Sequence, residues 1–350
     1  MKALRVAVVG VGRWGVNHLR VCKLLQKEGL CDGVVIHDRN RERLRHVARS
    51  YGIERAYTDS GAMFRNEEPE AAIISTQTVY HAQTALEALS YADVLVEKPI
   101  AATLEEARSV IRKAESEDRI LAVGEIELFN PVIVELNSYL EKTGEDVLCI
   151  TARRIGPGPK PENTENLGVA HDLLVHDITV SLHILDERPT EVMATTVRVD
   201  DFPYEVDIHA VFNFPGEVET RTNLHASWRS EATSKLRTLY LETPKRFIAA
   251  DYITQTLRVE RGVGEHEAEK GYLDLLRAYD AREVTERKLL TDVTSEPLLL
   301  EDRHFLQRVS ERKPCIVDGW LGYNALNCVL RALESAQKGR RVKIPWEEGL

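Results

Sequence analysis

Short apolar segments alternate with amphipathic segments over the first third of the chain. The apolar segments are rich in β-branched residues and predict buried strands at residues 4–9, 33–37, 71–76, 94–97 and 120–123. Apolar side chains at helical spacing predict helices after residue 15 and at residues 41–51, 78–91 and 103–118. Thr103 and Glu106 form a capping box at the start of the last helix. The alternation predicts an N-terminal doubly wound parallel sheet in an α/β protein.

The pattern changes near residue 124, where strands follow one another without helices between them. Strands are predicted at residues 146–154, 190–200, 206–214, 218–228, 236–243 and 246–260. Helices are predicted at 168–185, 297–312 and 318–337, and loops at 156–161 and 262–270. Successive alternating strands are typical of antiparallel sheets. We therefore expect a Rossmann domain at 1–123 and an α+β domain at 124–350, built on a large, mainly antiparallel open sheet.

Composition excludes several classes of function. The chain has 350 residues, of which 43% are apolar and 29% charged, with a net charge of −10. A negative charge of this size argues against nucleic-acid binding, and no apolar run is long enough to span a membrane. The five cysteines are scattered, and neither they nor the histidines show metal-ligand spacing. The lack of such spacing leads us to expect no metal. Because the first strand begins almost at once, we expect no signal peptide and a cytoplasmic location.

A glycine-rich turn follows the first predicted strand, in the sequence GVGRWG. Gly10 allows a tight turn, Gly12 allows the backbone to approach a pyrophosphate, and Gly15 allows the next helix to lie close to the strand. The N-terminus of that helix offers free N–H groups to the phosphates. Asp38, after the second strand, is placed to accept hydrogen bonds from the adenosine ribose. The unit predicts dinucleotide binding; the alternative is a glycine turn that binds nothing.

The acidic residue also bears on the choice of cofactor. The carboxylate of Asp38 would repel a 2′-phosphate, which favours NAD over NADP. Arg13 and Arg39 lie nearby in the sequence and would pair with that phosphate, so NADP stays an alternative.

Two further motifs carry chemistry. Glu97, Lys98 and Pro99 end a parallel strand, at the edge where doubly wound sheets bind ligands. Asp172 and His176 share one face of a predicted helix. Oxidation of an alcohol removes a hydride from carbon and a proton from oxygen; histidine suits the second task, and a lysine stabilises the alkoxide. The alternatives are a surface lysine at a strand end and a polar pair on a solvated helix face.

Together with the C-terminal segment EPLLLEDRHFLQRV, these motifs resemble the Gfo/Idh/MocA family over nearly the whole chain. The resemblance implies that Lys98 orients the substrate hydroxyl, that His176 is the general base and that Asp172 assists binding. It also implies a homodimer or homotetramer acting on a small sugar. The positions expected to line the cofactor are Gly10, Gly12, Arg13, Trp14, Gly15, Asp38, Arg39, Thr76, His81, Glu97 and Lys98.

Within that family, residues 123–131 and 151–177 are similar to the branch of UDP-N-acetylglucosamine 3-dehydrogenases, which oxidise C3 of the sugar. Arg153 and Arg154 are candidate diphosphate ligands, although strand alternation lets only one of them face the site. The positions expected to contact the substrate are Glu125, Asn130, Arg153, Arg154, Asp172 and His176.

Two departures from that branch favour a different substrate. Glu125 stands where the branch has histidine, and Leu128 where it has arginine, so the chain loses positive charge near the pocket. The alternative is therefore a dehydrogenase of a free polyol, an inositol or a sugar phosphate. A third hypothesis is a non-catalytic NAD(P)-binding regulator, which retention of Lys98, Asp172 and His176 disfavours.

Overall fold

The computed structural model describes residues 3–160, 164–216, 218–231, 233–262, 271–289, 292 and 294–346. In these ranges the chain forms a six-stranded parallel sheet followed by a nine-stranded, mainly antiparallel sheet. The predicted α/β class, with a Rossmann sheet and a large second sheet, is confirmed.

The first sheet has the strand order β3-β2-β1-β4-β5-β6. Its strands are β1 Leu4–Val9, β2 Cys31–His37, β3 Ala56–Tyr57, β4 Ala71–Ile74, β5 Asp93–Glu97 and β6 Leu121–Gly124. The helices around it are α1 Gly15–Lys27, α2 Arg41–Tyr51, α3 Ser60–Glu67, α4 His81–Leu89 and α5 Leu104–Ser116. The strand order reverses between β1 and β4, which opens a crevice at their carboxyl ends.

Apolar residues on both faces of this sheet explain why its strands are continuous hydrophobic runs. Every residue of β4 and β5 is buried. Val8 and Ile73 face a core formed with α1, whereas Val9 and Ile74 face a core formed with α4 and α5. Parallel sheets covered on both sides have this pattern. The predicted capping box of Thr103 is also present at the start of α5.

The second sheet has the order β14-β13-β12-β11-β7-β10-β9-β8-β15. Its strands are β7 Cys149–Ile155, β8 Glu191–Arg198, β9 Glu205–Phe214, β10 Thr220–Ser227, β11 Leu236–Glu242, β12 Arg246–Asp251, β13 Thr256–Arg261, β14 Val284–Lys288 and β15 Val342–Lys343. The helices of this half are α6 Pro131–Thr143, α7 Val175–Leu185, α8 Tyr272–Asp280, α9 Pro297–Glu311 and α10 Gly319–Lys338. One face of the sheet packs on the core and the other is open.

Several element predictions were wrong in detail. The single strand predicted at 246–260 is the hairpin β12–β13, because Gln255 adopts a positive φ of 56° and reverses the chain. The helix predicted at 168–185 begins with the π-helical segment Ala170–Leu174 and continues as α7. The patterns also missed α3, α6, α8 and β14. Residue 161 of one predicted loop and residues 263–270 of the other lie outside the described residues.

The last two helices return to the first sheet. Leu299 and Phe305 of α9 pack into the core beside α1. In α10, a Cβ at Gly322 would lie 2.6 Å from a methyl carbon of Val123, so this glycine allows close contact with β6. The domain boundary at residue 123 stays a prediction. Both helices come from the C-terminal part of the chain but pack against the first sheet. No helix within the described ranges is long and apolar enough to cross a bilayer.

Candidate active site

A cleft of about 1290 Å³ runs along the carboxyl ends of the parallel strands and continues to the second sheet. Gly12, Asp38 and Thr76 line one end, and Lys98 and His176 line the part where the two sheets meet. The cleft therefore joins the predicted dinucleotide turn to the predicted catalytic residues.

The glycine turn after β1 has the geometry that a dinucleotide requires. Gly10 has a φ of +90°, and a Cβ there would lie 2.9 Å from the Ser75 carbonyl oxygen. A Cβ at Gly15 would lie 1.8 Å from the Gly10 carbonyl oxygen, so the start of α1 needs glycine. At Gly12 the nearest atom to a Cβ is the Arg43 side chain, 3.8 Å away, which leaves open space over the turn. A pyrophosphate fits there, above the N-terminus of α1.

Asp38 lies at the end of β2 and is buried. Its carboxylate accepts hydrogen bonds from the backbone N–H of Val11 at 3.1 Å and of Asn40 at 2.7 Å. Arg43, which the sequence did not identify, donates to it at 3.2 Å. Arg39 instead lies over the ring of Tyr80, 4.5 Å from its centroid. One carboxylate and two arginines therefore surround the adenosine end of the cleft.

The other predicted cofactor residues also lie along the cleft. The indole Nε1 of Trp14 donates to Glu97 at 2.5 Å. The ring nitrogens of His81 lie 2.8 Å from the Pro99 carbonyl oxygen and 2.9 Å from that of Thr76. The hydroxyl of Thr76 is buried and has no hydrogen-bond partner among the described residues. Arg13 lines the same end.

Lys98 follows β5 and reaches the π-helical segment. Its Nζ donates to the Asp172 carbonyl oxygen at 2.6 Å and to the Asp172 carboxylate at 2.8 Å. The peptide bond between Lys98 and Pro99 is cis. Burial acts to raise the pKa of Asp172, but the Lys98 ammonium outweighs it and holds that pKa below its usual value. The two motifs predicted from sequence are thus in direct contact.

His176 makes the second contact of the centre. Its Nδ1 contacts a carboxylate oxygen of Glu125, whose other oxygen accepts from the Thr179 hydroxyl at 3.2 Å. Its Nε2 has no hydrogen-bond partner among the described residues, and the ring lines the cleft. Burial, with the charges of Lys98 and Arg154, holds the pKa of His176 well below its usual range. Burial raises the pKa of Glu125 to about 8.

These contacts correct the expected role of Glu125. Its carboxylate oxygens bond to His176 and Thr179, and it lies behind the imidazole rather than on the wall of the cleft. Leu128 is buried in the hydrophobic core. Neither departure from the nucleotide-sugar branch therefore changes the charge of the cleft wall directly.

The two candidate arginines of β7 have different surroundings. Arg153 is exposed on the open face of the sheet and lies outside the cleft, because adjacent strand residues point to opposite faces. Its predicted contact with the substrate therefore needs correcting. Arg154 is buried, with Nε and Nη2 bonded to Asp177 and Nη1 bonded to Glu127. Since each nitrogen already bonds to a carboxylate, Arg154 anchors the wall of the cleft.

Asn130 belongs to the same buried network. Its Nδ2 donates to Glu127 at 2.9 Å, and its Oδ1 accepts from Gln255 Nε2 at 2.9 Å. The side chain of Asn130 thus ties the start of α6 to the β12–β13 hairpin and lines the cleft.

Besides Arg43, sequence reasoning missed three further cations of the cleft, namely Lys160, Lys235 and Arg237. Arg237 lies opposite Arg154 in the β7–β11 pair, 3.5 Å from Glu127. Burial, followed by the charge of Arg154, lowers the pKa of Arg237. The sequence did contain a signal for Arg237. This residue lies two residues from Leu239 on β11, so both side chains point to the same, inward face of the sheet.

The sequence also missed buried polar atoms that lack partners among the described residues. Both ring nitrogens of His171, the hydroxyl of Tyr252 and Oε1 of Gln255 are of this kind, and all three residues line the cleft. Burial lowers the pKa of His171 to about 4, so its imidazole is neutral. Unpaired buried polar groups are costly, and ligand hydroxyls or amides would satisfy these.

The fold and the site together define a Rossmann oxidoreductase with a second domain beside the nicotinamide end of its cleft. Two family models match the chain. One, described as "Oxidoreductase family, NAD-binding Rossmann fold", matches residues 4–125, and the other, described as "GFO/IDH/MocA C-terminal domain", matches residues 146–242. The chain therefore belongs to the Gfo/Idh/MocA family. The predictions of an oxidoreductase and of NAD as its cofactor are confirmed.

Named relatives act on sugars and inositols. The chain is 26% identical to a UDP-N-acetylglucosamine 3-dehydrogenase of Acidithiobacillus ferrooxidans over 94% of this chain and 96% of the relative. It is 28% identical to a myo-inositol 2-dehydrogenase of Thermotoga maritima over 57% of this chain, and that match spans only 60% of the relative. A levoglucosan dehydrogenase solved with NADH and levoglucosan has a TM-score of 0.84 at 17% identity, covering 98% and 100% of the two chains, which shows the shared fold.

Proposed function

We propose that this protein is an NAD-dependent dehydrogenase that oxidises a secondary hydroxyl of a sugar. The observation that carries the proposal is the convergence of Lys98 and His176 on one part of the cleft, beside the carboxyl end of β5. Bound NAD would supply the hydride acceptor. The protein must then hold the alcohol and remove its proton.

Each polar group of this centre has a distinct task in the proposal. The Lys98 ammonium, held by Asp172, donates a hydrogen bond to the substrate oxygen and stabilises negative charge that develops there. The Nε2 lone pair of His176 accepts the hydroxyl proton. The low pKa of His176 keeps its imidazole neutral, and Nε2 can accept that proton once Glu125 is ionised.

In this proposal Glu125 is a positioning residue for the base. When its carboxylate accepts a hydrogen bond from Nδ1–H, the ring tautomer is fixed and Nε2 carries the lone pair. The same carboxylate stabilises the imidazolium that forms when Nε2 takes a proton. Thr179 holds the second carboxylate oxygen in place.

We further propose a nucleotide-linked sugar as the substrate, with C3 of a UDP-N-acetylhexosamine as the oxidised carbon. A relative that matches along nearly the whole chain is named for such a substrate. Lys160, Lys235 and Arg237 line the cleft and supply positive charge that a diphosphate needs. His171 offers an uncharged donor or acceptor to the sugar or its acetamido group.

The second candidate is a dehydrogenase of a free polyol, an inositol or a sugar phosphate. Matches to inositol dehydrogenases favour it. The departures at Glu125 and Leu128 support it less than the sequence suggested, because neither side chain lines the cleft. A non-catalytic NAD(P)-binding regulator is disfavoured, because it would need neither the contact of Lys98 with Asp172 nor that of His176 with Glu125.

A substrate comparison with one matched pair of variants tests the choice. We would measure kcat/KM with NAD for UDP-N-acetylglucosamine, myo-inositol and glucose 6-phosphate, using the native chain, Arg237→Ala and Arg153→Ala. The proposal expects the highest value for the UDP-sugar, a loss in Arg237→Ala and none in Arg153→Ala, whose side chain lies on the open face. Turnover of myo-inositol or the sugar phosphate alone would replace the nucleotide-sugar proposal.

We also propose a homo-oligomer, a dimer or tetramer, assembled through the open face of the second sheet. Large apolar side chains stand exposed there, among them Val211, Tyr240 and Phe247 at 38%, 47% and 54%. Exposed apolar patches of this kind mark protein contacts. Light scattering should give a mass of two or four chains that falls in a Tyr240→Glu/Phe247→Glu variant; a monomeric native protein would contradict the proposal.

A further inference from the structure

We propose that Asp207, His209 and His225 form a binding site for a divalent transition metal, of which zinc is the best fit. The three side chains lie on the open face of the second sheet, away from the cleft and beside Val211 of the proposed oligomer contact. A metal ion there would overturn the expectation of no metal drawn from sequence spacing. The inference does not depend on the proposed dehydrogenase activity.

The sheet itself brings the three ligands together. Asp207 and His209 are two residues apart on β9 and therefore point to the same face. His225 lies directly opposite His209 in the antiparallel β9–β10 pair. Side chains directly opposite one another start from Cβ atoms about 5 Å apart. The pairing of β9 and β10 thus places one carboxylate and two imidazoles side by side on one face of the sheet.

Side-chain geometry supports a shared ion. The three ligand atoms all lie within 4.8 Å of one another. Nε2 of His225 lies 3.2 Å from Oδ2 of Asp207, and Nε2 of His209 lies 3.8 Å from Oδ1. Ligands on a tetrahedral zinc ion lie about 3.4 Å apart, given bonds of about 2.1 Å. The rings of His209 and His225 are stacked with their centroids 3.7 Å apart, so the His209 ring, whose side chain is 60% exposed, must turn out of this stack to share an ion.

The chemistry of the donor set also suits such an ion. Two imidazoles and a carboxylate are the donors of many three-ligand zinc sites, in which water takes the fourth position. Arg153, opposite His225 on β7, opposes binding through its charge. Thr195 and Val197 of β8 face His209 and Asp207 and add no charge.

The test is zinc binding by the full chain, measured by isothermal titration calorimetry in a buffer that does not chelate metal. The proposal expects one zinc ion per chain for the native protein. Affinity should fall about tenfold or more in both His209→Ala and His225→Ala, at least as much as loss of an outer-shell partner costs. His46→Ala, which removes an exposed histidine of α2, should bind like the native chain.

Metal-free melting temperatures would establish that both ligand variants fold. Binding of Co²⁺ followed by its visible absorption gives an independent readout, in which the native chain and His46→Ala should share a spectrum that His209→Ala and His225→Ala lack. Zinc affinity unchanged in His209→Ala and His225→Ala, or no zinc binding by the native chain, would overturn the proposal.

Discussion

The imidazole of His176 contacts the Glu125 carboxylate through Nδ1, and both residues are buried, with His176 lining the cleft and Glu125 behind it. This contact sets the protonation of the pair. While Glu125 holds a proton that Nδ1 accepts, the ring proton lies on Nε2, which then has no lone pair for a substrate. When Glu125 is ionised, Nδ1 carries the ring proton and Nε2 is a free base.

The pH profile of oxidation should reflect this pair. Because burial raises the pKa of Glu125 to about 8, kcat/KM should rise with pH through a value near 8. In Glu125→Gln the carboxylate is gone, and burial with the charges of Lys98 and Arg154 sets the His176 pKa below 6.5. The rise should therefore move to lower pH, with a reduced plateau. An unmoved profile would show that Glu125 does not control the base.

Loss of the base should remove most of the rate without removing cofactor affinity. His176→Ala should lower kcat by about 10²–10⁴-fold, the contribution typical of general base catalysis. Steady-state kinetics and a fluorescence titration with NADH would separate the two effects. Near-normal turnover at saturating substrate would assign the proton transfer to another group.

Lys98 should act on the transition state more than on the fold. In Lys98→Met the aliphatic stem is kept but the donor to the substrate oxygen is lost, so kcat should fall by about 10²–10³-fold. Lys98→Arg keeps the charge and serves as the matched control, with a smaller loss. Equal activity of Lys98→Met and the native chain would exclude the proposed contact.

Asp38 should govern the choice between NAD and NADP. Asp38→Asn keeps an acceptor for the Val11 N–H but removes the charge, and Arg39 and Arg43 remain to pair with a 2′-phosphate. The kcat/KM for NAD should fall by about 10-fold or more, on the scale of charged hydrogen bonds, while that for NADP rises. A native enzyme that prefers NADP would refute this assignment.

Arg154 should matter to stability. Arg154→Met leaves Asp177 buried without its cation and Glu127 with only Arg237, 3.5 Å away, so the free energy of unfolding should fall by about 3–5 kcal/mol. Without the arginine both carboxylates favour protonation, so the loss should grow as pH rises above their unfolded pKa values. Arg153→Met, exposed on the same strand, should change stability by less than about 0.5 kcal/mol. Equal melting curves for the two variants would contradict the network.

The parts of the fold and site that local patterns encode could be predicted from the sequence. The glycine turn, the capping box of α5 and the strands of the parallel sheet depend on short-range geometry. Arg153 and Arg154 show the limit of such patterns. Strand alternation predicts that one of the two points inward, but it does not show which carboxylates that arginine contacts.

These local patterns could not predict contacts between segments that are far apart in the sequence. Glu125 and His176 are 51 residues apart, and only the packing of residue 125 beneath α7 makes them a pair. Alternation along β11 indicates that Arg237 points inward, but its position beside Arg154 depends on the pairing of β11 with β7. Both features follow from tertiary structure.

Transfer of the C3 hydrogen tests the central proposal most directly. The enzyme would be given NAD and UDP-N-acetylglucosamine carrying deuterium at C3, and the nucleotide product would be analysed by mass spectrometry. We expect reduced nicotinamide that contains one deuterium, formed more slowly than with unlabelled sugar, and a rate about 10²–10⁴-fold lower with His176→Ala. Reduced nicotinamide without deuterium, or none at all while a free polyol is oxidised, would contradict the account.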